Sequence, residues 1–133
     1  MIFENVRYSD FDIANDIYCE CFAKERKEQY LHNAENLFGL YMDDKLIGIV
    51  QIDFIPLAFE NKRIAYINSF CIKKEFQHKG YSSILLQKCI TYIKDNKATV
   101  IQLTSNPSRI VANKLYRSFA FNKIDTNFYQ MII

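Results

Sequence analysis

Apolar positions along the chain switch between two periods, and each switch marks an element. The segment from Ile2 to Tyr8 reads as a short strand. Behind it Ala14, Ile17, Tyr18, Cys21 and Phe22 recur at helical spacing, with Ser9 or Asp10 placed to cap that helix. Asn36 to Met42 and Lys45 to Ile55 read as two strands around the turn Asp43-Asp44. The second is apolar almost throughout, the mark of a strand covered on both faces. A turn at Glu60-Asn61-Lys62 leads to a further strand, Ile64 to Ile72.

The helical period then returns. Ser82 to Asp95 sets Leu85, Leu86, Cys89, Ile90 and Ile93 on one face, and Thr99 to Thr104 reads as a buried strand. Val111, Ala112, Leu115, Tyr116 and Phe119 form the stripe of a last helix, with Pro107 in its first turn and Asn106 or Ser108 as cap. Lys123 to Ile133 reads as a closing strand. The order β-α-β-β-β-α-β-α-β predicts an α/β (α+β) fold, a mixed sheet with helices on its faces.

Length adds one constraint: 133 residues argue for one domain, spanning 1–133. Half the residues are hydrophobic and a quarter charged, which excludes a disordered chain. The net charge of +2 is too small for the footprint of a nucleic-acid binder. Glu4, Arg7 and Asp10 interrupt the start before a secretory leader could form, and no apolar run reaches the ~18 residues that span a bilayer. The expectation is a cytoplasmic protein without nucleic-acid or membrane partners. Cys19, Cys21, Cys71 and Cys89 fit no zinc spacing and lie in apolar runs, so they read as free core thiols in a reducing compartment, with a disulfide or metal as the alternative. No metal site is predicted, and His32 reads as a surface residue.

Two segments carry candidate chemistry. The loop Gln77-His78-Lys79-Gly80-Tyr81-Ser82 runs from a strand straight into an amphipathic helix. A helix start offers unpaired N–H groups and the positive end of a dipole, a setting for phosphate. The chain has only three glycines, Gly39, Gly48 and Gly80. Gly80 either lets the backbone approach a ligand or eases a tight turn. Gly48 lies within a strand, and Gly39 has no evident task. The second segment is Ala112-Asn113-Lys114-Leu115-Tyr116-Arg117-Ser118-Phe119-Ala120-Phe121. Taken alone, its Tyr116 reads first as a core tyrosine with a satisfied hydroxyl.

In order and spacing the two segments together resemble the GCN5-related N-acetyltransferase family, from about Ile64 to Phe121. Gln77, Gly80 and Ser82 stand at the positions of its phosphate-loop pattern, Gln or Arg, two residues, Gly, one residue, then Gly or Ala. Ala112, Leu115, Tyr116 and Ala120-Phe121 match its second pattern, Ala, two residues, an apolar residue, Tyr, three residues, then Gly-Phe. Ser82 and Ala120 depart from it. Serine is small enough to keep the loop near a pyrophosphate, whereas Ala120 implies a different helix exit, because positive φ is costly with a Cβ.

The resemblance implies a mostly antiparallel central sheet flanked by helices, and acetyl transfer from acetyl-CoA to the amine of a small molecule or of a peptide or protein by direct attack. It implies a pyrophosphate site at Gln77, His78, Lys79, Gly80, Tyr81, Ser82 and Ser83, and a pantetheine contact on Phe70, Cys71 and Ile72, with Asn113 reaching the same arm. A backbone N–H there would polarise the thioester carbonyl. Tyr116 would be the general acid for the departing thiolate of coenzyme A. A homodimer is compatible with the family. The base is open: Asn68 stands where many members carry an acid, leaving Asp53, Glu60 or a water relay, while His78 in the phosphate loop is badly placed for the amine. Aromatic residues in Ile52–Phe59 and Asn127–Tyr129 either line an acceptor pocket or fill the core. A non-catalytic acyl-CoA-binding or sensor module is the alternative function, and an interaction protein without CoA affinity the third.

Overall fold

The computed structural model describes residues 1–25 and 34–133; the expectation for His32 lies outside them. The strands are β1 (Ile2–Asn5), β2 (Leu37–Met42), β3 (Lys45–Leu57), β4 (Lys62–Ile72) and β5 (Val100–Gln102). The helices are α1 (Phe11–Phe22), α2 (Tyr81–Asp95) and α3 (Ile110–Ser118). The strands form one sheet in the order β1-β2-β3-β4-β5, antiparallel throughout except for the parallel pair β4–β5. This is the mostly antiparallel, helix-flanked sheet that the family resemblance implies.

Two apolar layers cover the sheet. On one face Ala14 and Ile17 of α1 pack with Tyr41, Leu46, Ile49 and Cys71. On the other, Leu85, Leu86, Cys89 and Ile93 of α2 and Tyr116 of α3 pack with Leu40, Ile52, Ala65, Ile67, Phe70 and Ile72. Leu46–Val50 of β3 is buried throughout, as its unbroken apolar run requires. Gly39 and Gly48 are there for room: a Cβ would lie 2.5 Å from Leu46 Cδ1 at the first and 2.7 Å from Ile72 Cδ1 at the second. Gly39 therefore has a packing task that its sequence neighbours do not announce.

Several local expectations are corrected. The first strand ends at Asn5, and Tyr8–Asp10 is a 3-10 turn. Asp10 stands at the N-cap of α1 without a capping hydrogen bond, because its carboxylate accepts the Tyr41 hydroxyl at 2.8 Å instead. Pro107 lies in a turn before α3, not in its first helical turn. Asn106 caps that turn, accepting the Ser108 N–H at 2.9 Å, while Arg109 holds the N-cap position. Val111 is exposed, so the buried stripe of α3 narrows to Tyr116 with the half-buried Ala112, Leu115 and Phe119.

Two corrections concern the end of the chain. Ala120 takes φ +66 despite its Cβ, so the helix exit is the left-handed one after all. Phe121 N–H donates to the Tyr116 carbonyl and Ala120 N–H to that of Arg117, both at 3.1 Å, and the Phe121 ring meets the Tyr116 ring edge-on. These are the paired bonds and the apolar contact of a Schellman motif, with alanine where glycine is usual. Lys123–Ile133 forms no strand; the segment runs exposed and unpaired with the sheet.

Tyr41 ties the first sheet layer together. Its hydroxyl accepts from the Arg7 N–H at 2.9 Å and donates to Asp10, and the Arg7 guanidinium lies 4.2 Å from its ring centre. Burial, chiefly, pushes its phenol up to about 12. A group whose folded value lies above its unfolded value near 10 contributes stability that is whole below pH 10 and is lost as pH rises toward 12. Chemical denaturation across pH 8–12 should show wild type losing up to about 2 kcal/mol more than Tyr41→Phe over that window. Parallel curves would remove Tyr41 from alkaline unfolding.

Candidate active site

β4 pairs with β5 only through Ile64–Val100, Ala65–Ile101 and Tyr66–Gln102. Beyond Tyr66 the two strands part, and the β5-facing edge of Ile67–Ile72 has no strand partner among the described residues. Within that stretch β4 carries a bulge. Asn68 pairs with Gln51 and Cys71 with Ile49, so Ser69 and Phe70 together oppose Val50. Ser69 sits at φ +55, and its N–H is held by the Asn68 side chain at 2.8 Å. The extra residue inverts the face of everything after it. Ala65 and Ile67 point to the α2–α3 layer, and so do Phe70 and Ile72, while Cys71 turns toward α1.

The predicted phosphate loop lies at the end of this strand. Gln77 is half-buried, and its side-chain amide donates to the Ile72 carbonyl at 2.9 Å, fastening the loop to β4. His78 and Gly80 take left-handed backbone, at φ +62 and φ +87, on either side of Lys79; all three are exposed. Gly80 is the N-cap of α2, with no side-chain cap and no acidic residue in the first turn. A Cβ on Gly80 would meet nothing within 4 Å, so the glycine is there for its φ and faces open space. Tyr81 packs edge-on against Phe76, Ser82 is half-buried and Ser83 exposed. An uncapped helix start beside open space suits a pyrophosphate, whose oxygens would accept from the amides of the first turn. A shallow depression of about 570 Å3 lined by Glu20, Lys73, Lys74 and Glu75 adjoins the loop on its N-terminal side.

Tyr116 is buried behind the bulge, its ring edge-on to Phe70 at 6.1 Å and to Phe121 at 5.9 Å. It is thus at once a core tyrosine and a neighbour of the unpaired strand edge. Burial pushes its phenol up, with Arg109 pulling the other way, so it stays protonated well beyond neutral pH. The Asn113 amide donates to the Asn106 carbonyl at 3.0 Å and clasps α3 to the loop after β5.

On the opposite face of the sheet lies a polar patch. Gln51 and Asp53 of β3 stand across from Asn68 and Tyr66 of β4. Asp53 accepts from Asn36 at 2.8 Å and from Gln51 at 2.7 Å, and the Tyr66 hydroxyl meets that of Thr104 at 3.0 Å. Glu60 is exposed in the β3–β4 turn. Among the aromatics, Phe54 lies against Tyr92 and under Arg63 in the packed layer, whereas Phe59, Phe128 and Tyr129 are exposed. They do not converge on one pocket.

Three further groups carry no signal in the amino-acid pattern. Cys21 of α1 donates its thiol to the Ile72 carbonyl at 3.2 Å and receives the Gln77 amide at 3.9 Å. Its contact with the Cys71 thiol lowers Cys21, while the same contact, together with burial, raises Cys71. Arg109 lies over the Phe22 ring and close enough to draw down Cys21, Cys71 and Tyr116. Ser105 Oγ, in the loop after β5, is buried with no partner. All four cysteines are free, Cys71 and Cys89 buried and Cys19 and Cys21 half-buried. Among the described residues no cluster of potential metal ligands forms, and no helix is long and apolar enough to cross a membrane.

The two left-handed helix boundaries make opposite predictions. Gly80→Ala should lower stability by about 1 kcal/mol through backbone strain alone, because the new methyl meets nothing. Ala120→Gly should raise it by a few tenths to about 1 kcal/mol, the relief of strain exceeding the added freedom of the unfolded chain. Urea titration of both variants checks the signs; Gly80→Ala at wild-type stability would show that the turn adapts.

Comparison with known proteins places this architecture. A sequence model described as the acetyltransferase (GNAT) family matches residues 4–121. A ribosomal-protein-alanine N-acetyltransferase from Brucella melitensis biovar Abortus 2308 superposes with a TM-score of 0.82 at 13% identity, covering 99% of this chain and 100% of that one. An aminoglycoside acetyltransferase from an uncultured soil metagenomic sample gives 0.80 at 16% identity over 99% and 96%. A transcriptional regulator from Bacillus halodurans C-125 gives 0.83 at 16% identity over 98% and 99%. At these identities the likeness concerns the fold. Among curated proteins, a "Putative glycylpeptide N-tetradecanoyltransferase" of Acanthamoeba polyphaga mimivirus is 36% identical over 63 residues, 44% of this chain and 18% of that protein. The chain thus matches less than a fifth of that relative's length. Members of the matched family use acyl-CoA co-substrates, for which the parted strands and the uncapped helix start are suited. With the family model covering most of its length and the fold shared end to end, the chain belongs to the acetyltransferase (GNAT) family.

Proposed function

We propose that residues 1–133 form a single cytoplasmic domain that transfers the acetyl group of acetyl-CoA to a primary amine of a small molecule or a peptide or protein. One observation carries this reading: the unpaired β4 edge from Ile67 to Ile72 runs directly to the uncapped start of α2 at Gly80. A thioester arm can add to that edge as an extra strand while its diphosphate sits on the helix start. In this reading the amides of His78–Ser83 hold the diphosphate, Phe70–Ile72 pair with the pantetheine, and Gln77 is a positioning residue.

The parted strands put the amine and the proton donor on opposite faces of the sheet, with the thioester between them. The amine approaches from the polar patch of Gln51, Asp53, Tyr66 and Asn68, while Tyr116 waits on the α3 side. The amine nitrogen bonds to the carbonyl carbon, the carbon–sulfur bond breaks, and the Tyr116 hydroxyl gives its proton to the departing thiolate. A backbone N–H at the bulge holds the carbonyl oxygen as charge gathers on it. The amine's surplus proton leaves through water, since both oxygens of Asp53 already accept amide hydrogens and Asn68 has no basic form. That same engagement of Asp53 favours a second reading, acyl-CoA binding without turnover.

Acetyl-CoA should raise the melting temperature by mass action, and no shift at saturation would remove the cofactor assignment. In a screen of amine acceptors with free-thiol detection, Tyr116→Phe should lower kcat on the order of 10²-fold while KM for acetyl-CoA stays near wild type. The phenol acts when protonated, so activity should persist to alkaline pH and fall only as pH rises through its raised value. An unchanged kcat would take Tyr116 out of catalysis. A thermal shift without thiol release for any amine would favour the binding module.

A further inference from the structure

The segment after α3 is at odds with a lone copy of this chain. From Asn122 to Ile133 every residue is exposed, and Ile124, Phe128, Tyr129, Met131, Ile132 and Ile133 show between 71% and 114% of their free surface. Contiguous apolar surface of this kind marks an interaction site on a soluble protein. Its pattern is that of a strand. Phe128 and Ile132 would share one face with Gln130, and Tyr129, Met131 and Ile133 would share the other. Apolar on both faces, it belongs inside a sheet covered on both sides, as β3 is at Leu46–Val50, and not at a solvated edge.

The same chain leaves a place for such a strand. β5 pairs only with β4 among the described residues, so its other edge carries unpaired backbone groups beside the half-buried Val100, Ile101 and Leu103. The opposite end of the sheet is a poor alternative. There β1 is flanked by the Arg7–Glu4 and Arg7–Asp44 ion pairs, charges of the kind that keep a sheet edge unpaired. The root of the arm is fixed by the turn at Ala120 and the Phe121 ring against Tyr116, so the segment leaves the body in one direction. At full extension Asn122–Ile133 spans on the order of 40 Å, enough to cross to a neighbouring molecule.

We propose that two copies of this chain exchange these arms, each laying Asn127–Ile133 along the free β5 edge of the other. One isologous contact then completes both sheets and buries both sets of apolar side chains, and it closes, so no open fibre forms. A foreign partner would have to supply both an edge for the arm and a strand for β5. A second copy brings the two together. The proposal stands apart from the transfer reading, since it uses none of the acyl-CoA contacts.

Sedimentation equilibrium of the full chain at micromolar concentration should give twice the chain mass. A variant lacking residues 123–133, and the double variant Phe128→Asp/Met131→Asp, should each give the single-chain mass with the circular dichroism of a folded protein. In the dimer, amide exchange should slow by an order of magnitude or more at 128–132 and at 100–102 together, and both should be lost together in the double variant. Single-chain mass for the full chain overturns the proposal, whether the arm stays free or closes its own sheet. So does a dimer that survives in both variants, heterogeneous aggregation, or protection of the arm without protection of β5.

Discussion

A strand edge can be hydrogen-bonded only once, and β4 gives its β5-facing edge to three residue pairs before the strands part. Everything that makes the site follows from that parting. Had the parallel pairing run on to Ile72, the edge beside Gln77 would be filled and the loop would have nothing to complete. The bulge at Ser69 accompanies the parting and turns Phe70 and Ile72 into the α2–α3 layer. Gln77 then binds the last carbonyl of the strand, so loop and strand end keep one relative position. The unpaired edge and the uncapped helix start are therefore parts of one arrangement.

The gap between the strands also governs electrostatics. Here the two faces of the sheet come together, with apolar packing and a raised phenol on one side and amides, hydroxyls and a carboxylate on the other. Thiols line the same region: Cys21 and Cys71 touch beneath the Ile72 carbonyl, and Arg109 brings the positive charge that moderates them and Tyr116. A single guanidinium thus acts on several groups together. Arg109 reaches the site as the N-cap of α3, a position where its sequence neighbours offer no hint of a charge-bearing role.

What the sequence made legible is what depends on period and composition. The amphipathic stripe of α2, the apolar run of β3 and the isolated Gly80 all appear in the structure where the pattern put them. Contacts between distant segments were hidden. The Asp10 carboxylate would have capped α1 had Tyr41 not claimed it from β2. The bulge lay half-visible: Ala65 and Ile67 alternate one way, Phe70 and Ile72 the other, and the slip falls on Asn68-Ser69. Read as an unbroken strand, the segment would have placed Ser69 in the core. Lys123–Ile133 shows the converse error, for an apolar strand pattern states that a strand wants partners without saying that its own sheet supplies them.

Ala120 shows how the last helix reconciles these demands. A residue with a Cβ in left-handed backbone carries strain on the order of 1–2 kcal/mol, and nothing at position 120 itself offsets it. The return comes from its neighbours: Phe121 and Ala120 satisfy the carbonyls of Tyr116 and Arg117, and the Phe121 ring braces the Tyr116 ring against Phe70. The bend at Ala120 thus fixes Tyr116 from the carbonyl and from the ring at once. Because that bend also ends the packed layer, the chain that follows leaves the surface there. The tyrosine's rigidity and the arm's projection have a common origin in one strained residue.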